Sequence, residues 1–176
     1  MRARCELQLN GTLRKMMLSA RDEETDSHLA LKLLGICLYW NETPLLDAGP
    51  RHVAMANWDF YPDLLCTNEY CELSRWIECG RTPFLKLNKL SKRVQDVPVT
   101  IIAESPFEGE RILQTVTEQV SRPEKISIVA FPKGEFARWA GALEPDTCVV
   151  GDCNEKNLNV VFNSEIFDLS MVTIKK

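Results

Sequence analysis

The chain of 176 residues lacks any apolar run long enough to cross a lipid bilayer. Its longest apolar-rich stretch, residues 29–40, contains Lys32, whereas a membrane-spanning helix needs about 20 apolar residues. The first residues alternate between polar and apolar side chains, so no signal peptide is recognisable. These absences predict a soluble, cytoplasmic protein without a membrane partner, and they make the 29–40 stretch a buried helix.

Glycine is scarce and proline is not enriched, at 8 and 9 residues, which excludes a collagen-like or low-complexity chain. An apolar content of 45% with a net charge of only −4 excludes intrinsic disorder, because such a chain can bury enough surface to offset the entropy of folding. Neither repeats nor a linker interrupt the sequence. We therefore expect one domain over residues 1–176.

The cysteines include no pair at the C-x2-C spacing typical of zinc sites, and their number, seven, is odd. This favours reduced thiols in a cytosolic protein. Two pairs with four intervening residues, Cys66 with Cys71 and Cys148 with Cys153, leave open a four-thiolate zinc site. Buried or incidental thiols are the alternative.

What is present is a pattern of short elements. Alternating residues on both sides of Asn10-Gly11 predict an N-terminal antiparallel hairpin, and an acidic opening before an apolar run predicts a helix over 23–39. Residues 58–67 are expected to form an irregular or helical turn. Further strands are predicted at 45–46, 71–79, 97–103, 126–131, 147–150, 158–162 and 166–174, and further helices at 84–94, 108–120 and 135–143.

The central alternation of strands and helices predicts an α/β (α+β) fold with a mixed sheet, partly parallel at its centre and flanked by helices. The N-terminal hairpin and the C-terminal strands are expected to extend that sheet in antiparallel fashion.

Four residues could carry chemistry. Asp63 precedes a predicted strand, Glu78 ends it, Lys89 lies on the next helix and Glu24 opens the first long helix. Asp63 and Glu78 are hard oxygen ligands suited to Mg²⁺ or Mn²⁺, and Glu24 could support the metal's outer shell. Lys89 could hold the attacking water and offset the charge of a scissile phosphate. The set therefore indicates metal-assisted phosphodiester hydrolysis.

These residues resemble a known family. The matching pieces are Glu24-Thr25 before Leu31-Lys-Leu-Leu34, Pro62-Asp63, Trp76-Ile-Glu-Cys-Gly80, Lys89 and Asn157-Leu-Asn-Val160. Together they resemble the YaeQ family, a divergent branch of the PD-(D/E)XK nuclease-like superfamily, over about residues 4–174.

The resemblance implies a restriction-endonuclease-like αβββαβ core, in which Asp63 and Glu78 take the positions of the two motif acids. Glu24 takes the position of the acid on the first helix. The superfamily's usual lysine position, two residues after Glu78, holds Gly80 here. In the YaeQ branch the lysine is relocated to the following helix, where Lys89 lies.

That helix also carries a basic face. Lys86, Lys89 and Arg93 are spaced to share one side of it, with Lys92 and Arg81 nearby, so the face could follow a phosphate backbone. An ordinary solvated face is the alternative. His28 lies four residues after Glu24 on one helical face, but a structural role is favoured for it, and His52 is expected in a loop.

The leading hypothesis is thus a metal-dependent nuclease with a nucleic-acid partner. A nuclease-fold protein that binds a nucleic acid or a protein without cutting is the alternative, motivated by Gly80. A hydrolase of small phosphorylated molecules is a third hypothesis.

Overall fold

The computed structural model describes residues 1–21 and 23–175. The strands in chain order are β1 Arg2–Leu9, β2 Thr12–Ser19, β3 Leu45–Leu46, β4 Leu64–Thr67, β5 Leu73–Cys79, β6 Val99–Ala103, β7 Ile126–Ala130, β8 Asp146–Cys153, β9 Asn157–Phe162, β10 Glu165–Ser170 and β11 Val172–Ile174. The helices are α1 Asp26–Leu38, α2 Phe84–Arg93, α3 Pro106–Gln119 and α4 Glu135–Gly141.

The strands form two mixed sheets. One has the order β10-β9-β8-β1-β2, and the other has the order β11-β7-β6-β5-β4-β3. Strands β5, β6 and β7 run parallel, as the central alternation predicts, and their neighbours are antiparallel. The mixed α/β fold class is confirmed.

The N-terminal hairpin is confirmed, and its turn explains the sequence. Asn10 and Gly11 have φ angles of 50° and 75°, and two consecutive residues with positive φ make the hairpin turn that matches strand twist. The hairpin does not extend the central sheet, however, and that expectation is wrong. Strand β1 pairs in parallel with β8, so the hairpin joins β8, β9 and β10 in a second sheet. Of the C-terminal strands, β11 does extend the central sheet, antiparallel to β7.

Helix α1 is the reason for the second sheet. Every residue from Leu29 to Leu38 is buried, so the helix has no face that can be left in water. Residues of α1 share one hydrophobic cluster with Leu7 and Val149 of the five-stranded sheet and with Ile77 and Ile102 of the six-stranded sheet. The helix therefore packs against both sheets, while α2 and α3 cover the other side of the six-stranded sheet.

Three local predictions need correction. Helix α1 begins at Asp26 rather than Glu23, because Thr25 is extended and its hydroxyl accepts the amide of His28. The irregular or helical turn expected over 58–67 is wrong from Leu64 onward, where the chain forms β4 because its backbone hydrogen-bonds to β5. The single strand expected over 166–174 is divided between β10 and β11, which belong to different sheets.

Helices in the described part of the chain include none that is both long and apolar enough to span a membrane.

Candidate functional site

A cleft of about 750 Å³ opens where β5 ends, between the first turns of α1 and α2. Its lining residues are Arg21, Glu23, Glu24, Thr25, His28, Asp63, Glu78, Cys79, Arg81, Thr82, Pro83 and Lys86. The cleft thus brings together three of the four predicted residues, Glu24, Asp63 and Glu78. The fourth, Lys89, is not part of the lining.

A slightly larger hollow of about 820 Å³ lies on the five-stranded sheet. Its charged residues pair with one another, Arg4 with Asp146 and Lys15 with Glu6, and these side chains are half exposed or more. Such solvated pairs do not concentrate reactive groups, so the smaller cleft is the better candidate site.

Asp63 directly precedes β4 and lies beside the end of β5. Its Oδ2 accepts the backbone N–H of Cys79 at 2.7 Å, and its Oδ1 lies 3.1 Å from His28 Nε2. Burial by itself would raise the pKa of Asp63, but the hydrogen bond and charge of His28, the Cys79 amide and Lys32 together hold that pKa below its ordinary value. Asp63 is therefore an ionised carboxylate inside the fold.

Glu78 is only 3% exposed, and its partners come from two elements. Its Oε1 accepts the indole N–H of Trp76 at 2.7 Å and lies 2.5 Å from the Lys86 ammonium. Burial raises the pKa of Glu78 to about 7, the charge of Lys86 opposes this rise, and the charge of Asp63 adds to it. At neutral pH this carboxyl group is poised between its two protonation states, as a general base requires.

Lys86, not Lys89, is the lysine that α2 delivers to the cleft. Its ammonium also donates to the Tyr61 carbonyl at 2.8 Å, so two acceptors hold it in place. Lys89 lies one turn further along, is 66% exposed and pairs with Asp59 at 3.5 Å. The spacing of the sequence allowed either lysine, because both lie on one face of α2 and only helix orientation separates them.

Another lysine, Lys32 of α1, lies beside Glu24. The side chain of Lys32 is fully buried, and its Nζ lies 2.6 Å from Glu24 Oε1, 2.8 Å from Asp47 Oδ1 and 3.8 Å from Asp63 Oδ1. Burial lowers the pKa of Lys32, but hydrogen bonds to Asp47 and Glu24 outweigh it and raise the pKa above its ordinary value. Sequence reasoning treated Lys32 only as an interruption in an apolar run.

One group in residues 1–21 and 23–175 has the geometry of a metal site. Ligand atoms of Glu24, His28 and Asp63 all lie within 4.8 Å of one another. The group does not include Glu78, which the sequence paired with Asp63 as a metal ligand. His28, favoured as a structural residue, instead joins the two acids, and its spacing of four residues from Glu24 was the signal available in the sequence.

The basic face of α2 is largely occupied by the protein itself. Residues 57–61 run along it: Arg93 donates to the Asn57 carbonyl and lies over the ring of Trp58, with its guanidinium carbon 4.1 Å from the ring centroid. Lys89 pairs with Asp59, while Lys92 is exposed. The face therefore anchors a loop, a role that the sequence pattern alone did not reveal.

The zinc alternative finds no support in the structure. Cys66 lies on β4 and Cys71 in the turn before β5, whereas Cys148 and Cys153 lie on β8 of the other sheet. All seven thiols are free, and burial raises the pKa of Cys66 to about 12 and that of Cys153 to about 11. The buried thiols behave as small apolar residues.

Fold and site together define a mixed α/β protein with a carboxylate-, histidine- and lysine-lined cleft at a strand end. The crystal structure of the YaeQ protein from Xanthomonas axonopodis pv. citri has this fold, with a TM-score of 0.72, 16% identity and coverage of 98% of this chain and 96% of that chain. The crystal structure of the YaeQ protein from Pseudomonas syringae gives a TM-score of 0.72, 16% identity and coverage of 99% and 96%.

A comparison with curated proteins finds no match. The sequence model of the YaeQ protein family matches residues 14–166, which is most of the chain. The chain belongs to the YaeQ family.

Proposed function

We propose that this chain is a divalent-metal-dependent phosphodiester hydrolase of the nuclease type, with its active site in the 750 Å³ cleft. The observation that carries the proposal is the approach of Glu24, His28 and Asp63 to within 4.8 Å, beside the Glu78–Lys86 pair. Acids that coordinate a cation, next to a base and an ammonium group, are the components that metal-assisted phosphodiester hydrolysis needs.

The proposal includes a place in the PD-(D/E)XK superfamily. The element order α1-β3-β4-β5-α2-β6 supports it, because this is the αβββαβ order that the resemblance implies. Asp63 directly precedes β4 and Glu78 lies near the end of β5, at the positions of the motif acids. The relocated lysine is then Lys86, since Lys89 pairs with Asp59 outside the cleft.

The donor set fits Mn²⁺ better than Mg²⁺. Glu24, His28 and Asp63 would hold the ion, and imidazole is a ligand for transition metals, whereas Mg²⁺ takes mostly oxygen ligands. The ion would supply Lewis-acid polarisation of the phosphoryl group and acidify bound water.

The chain's own groups supply the remaining chemistry. Glu78, with a pKa of about 7, accepts a proton from the attacking water, and Lys86 carries positive charge beside it. Arg21 and Arg81 line the rim with exposed guanidinium groups that suit phosphate oxygens. The substrate class that follows is a nucleic-acid backbone, and exposed Lys92 could extend the contact along α2.

The test is cleavage of labelled single- and double-stranded DNA and RNA with Mn²⁺, with Mg²⁺ and with EDTA. Cleavage should require the metal and fall at least a hundredfold in both Asp63→Asn and Glu78→Gln. Asp59→Asn is the matched control, because Asp59 is 64% exposed and lies outside the cleft. Unchanged cleavage in Glu78→Gln would remove this residue from the mechanism.

The second candidate is a nuclease-fold protein that binds without cutting. Gly80 at the usual lysine position favours it. Calorimetry separates the two candidates: nucleic-acid or protein binding that persists without any metal binding at millimolar Mn²⁺ supports the second.

A further inference from the structure

Lys32 is a cation built into the candidate metal site. It is on α1, one turn after His28, and its side chain has no exposed surface, yet three carboxylates lie within 4 Å of its Nζ. A buried ammonium group is costly to desolvate unless such partners surround it. The arrangement therefore binds one positive charge strongly at this point of the fold.

Two of the three carboxylates around Lys32, those of Glu24 and Asp63, belong to candidate metal ligands. Glu24 Oε1 is 2.6 Å from Lys32 and 3.7 Å from His28 Nε2, and Asp63 Oδ1 is 3.8 Å from Lys32 and 3.1 Å from His28. A divalent cation on these ligands would share two carboxylates with the ammonium group. Like charges that share ligands in a buried site repel strongly.

The local charge count points the same way. Glu24, Asp47 and Asp63 contribute three negative charges, while Lys32 and Arg21, which pairs with Asp47 at 2.9 Å, contribute two positive charges. His28, which also lies in the cluster, adds no charge in the neutral form that ligates a metal. The cluster is thus nearly neutral before any metal binds. Removal of Lys32 would leave two uncompensated negative charges, which a divalent cation would balance.

We infer that Lys32 is a resident counter-ion that competes with a divalent cation for Glu24 and Asp63, and so sets the metal affinity of the cleft. The inference rests on the metal site of the proposed function. It explains how the acid cluster stays folded without metal, and it predicts that metal binding is weak and reversible because an internal cation must share its ligands.

The experiment is calorimetric titration with Mn²⁺ alone of the wild type, Lys32→Met and Lys32→Gln. Glutamine keeps a hydrogen-bond donor for Glu24 but carries no charge. Lys32→Gln can therefore be titrated even if Lys32→Met does not fold. Both variants should bind Mn²⁺ at least tenfold more tightly than the wild type. Lys89→Met, the same change at an exposed helix position, should leave the Kd unchanged.

Thermal unfolding gives a second readout of Mn²⁺ binding by a different physical signal. Saturating Mn²⁺ should raise the Tm of the Lys32 variants more than that of the wild type, since the ion replaces the missing charge. His28→Ala in the Lys32→Met background should abolish the gain. A gain that survives this change would overturn the inference, because the ion would then lie elsewhere.

The outcomes separate this inference from the proposed function. If the wild type binds Mn²⁺ and both Lys32 variants bind it equally tightly or more weakly than the wild type, only the counter-ion inference is overturned. Absence of binding in all proteins overturns the metal site and the nuclease proposal with it. Variants that stay unfolded even in millimolar Mn²⁺ also overturn the inference, because the ion would then be unable to replace the ammonium group. Tighter binding without any phosphodiesterase activity supports the inference and counts against the nuclease.

Discussion

The ammonium group of Lys86 lies 2.5 Å from Glu78 Oε1, and this pair joins the first turn of α2 to the end of β5. Glu78 is 3% exposed, whereas Lys86 reaches it from a side chain that is 22% exposed. The carboxyl group is thus buried in protein while its counter-ion faces the cleft. This asymmetry places a titratable group with a pKa of about 7 at the base of an accessible site.

Replacement of Lys86 tests that relationship. Lys86→Met should lower the free energy of unfolding by about 1–3 kcal/mol at pH 8, because it leaves the Glu78 carboxylate buried without its cation. Lys89→Met removes a pair that is exposed on both sides and should stay within about 0.5 kcal/mol of the wild type. Urea unfolding measures both, and equal losses would contradict the assignment of Lys86 to the cleft.

The pH dependence of stability should carry the signature of Glu78. Its pKa rises from 4.5 to about 7 on folding, so the folded protein binds more protons between these values. The contribution of Glu78 to the free energy of unfolding therefore falls as the pH rises through this range. The free energy of unfolding of Glu78→Gln, relative to that of the wild type, should therefore rise by roughly 2–3 kcal/mol from pH 5 to pH 8. Urea unfolding in EDTA at the two pH values measures this difference. A difference that does not change with pH would refute the raised pKa.

Asp63 should act in the opposite direction. Its pKa is lowered on folding, so its stabilising contribution is present above its ordinary pKa of 3.8 and disappears as the pH falls through its folded pKa. Asp63→Asn should cost about 2 kcal/mol at pH 7 and progressively less as the pH falls below 3.8, because the protonated carboxyl group no longer offers a charge to the Cys79 amide and His28. Asp59→Asn is the exposed control, and a loss from Asp63→Asn that does not shrink at all as the pH is lowered through and below 3.8 would contradict the electrostatic origin.

Gly35 tests the close packing of α1 against the six-stranded sheet. A methyl group on Gly35 would overlap Leu64 Cδ1 and lie 3.0 Å from Ile102 Cδ1. Gly35→Ala should therefore destabilise the protein by about 1–3 kcal/mol, although alanine is the better helix former. Gly141→Ala in α4 meets nothing within 4 Å and should be neutral or slightly stabilising in thermal unfolding.

Much of the candidate site was accessible from the sequence, because strand ends carry local signals. Asp63 after a proline and Glu78 at the end of an apolar strand both line one cleft. The choice between Lys86 and Lys89 was not accessible, since both satisfy the same helical spacing. The pairing of His28 with Asp63 and of Lys32 with Asp47 was not accessible either, because these partners come from distant segments whose approach depends on the pairing of β3 with β4.

By itself the sequence determined the hairpin at Asn10-Gly11, the approximate extents of the four helices and the parallel centre of the sheet, since turn chemistry and hydrophobic period act over a few residues. Only the tertiary structure decided that there are two sheets in the described residues and which side chains meet in the cleft. The physical reason is burial: residues 29–38 of α1 are buried on every side, and covering them brings the N-terminal hairpin beside β8 and fixes where the few charged residues of the helix find partners.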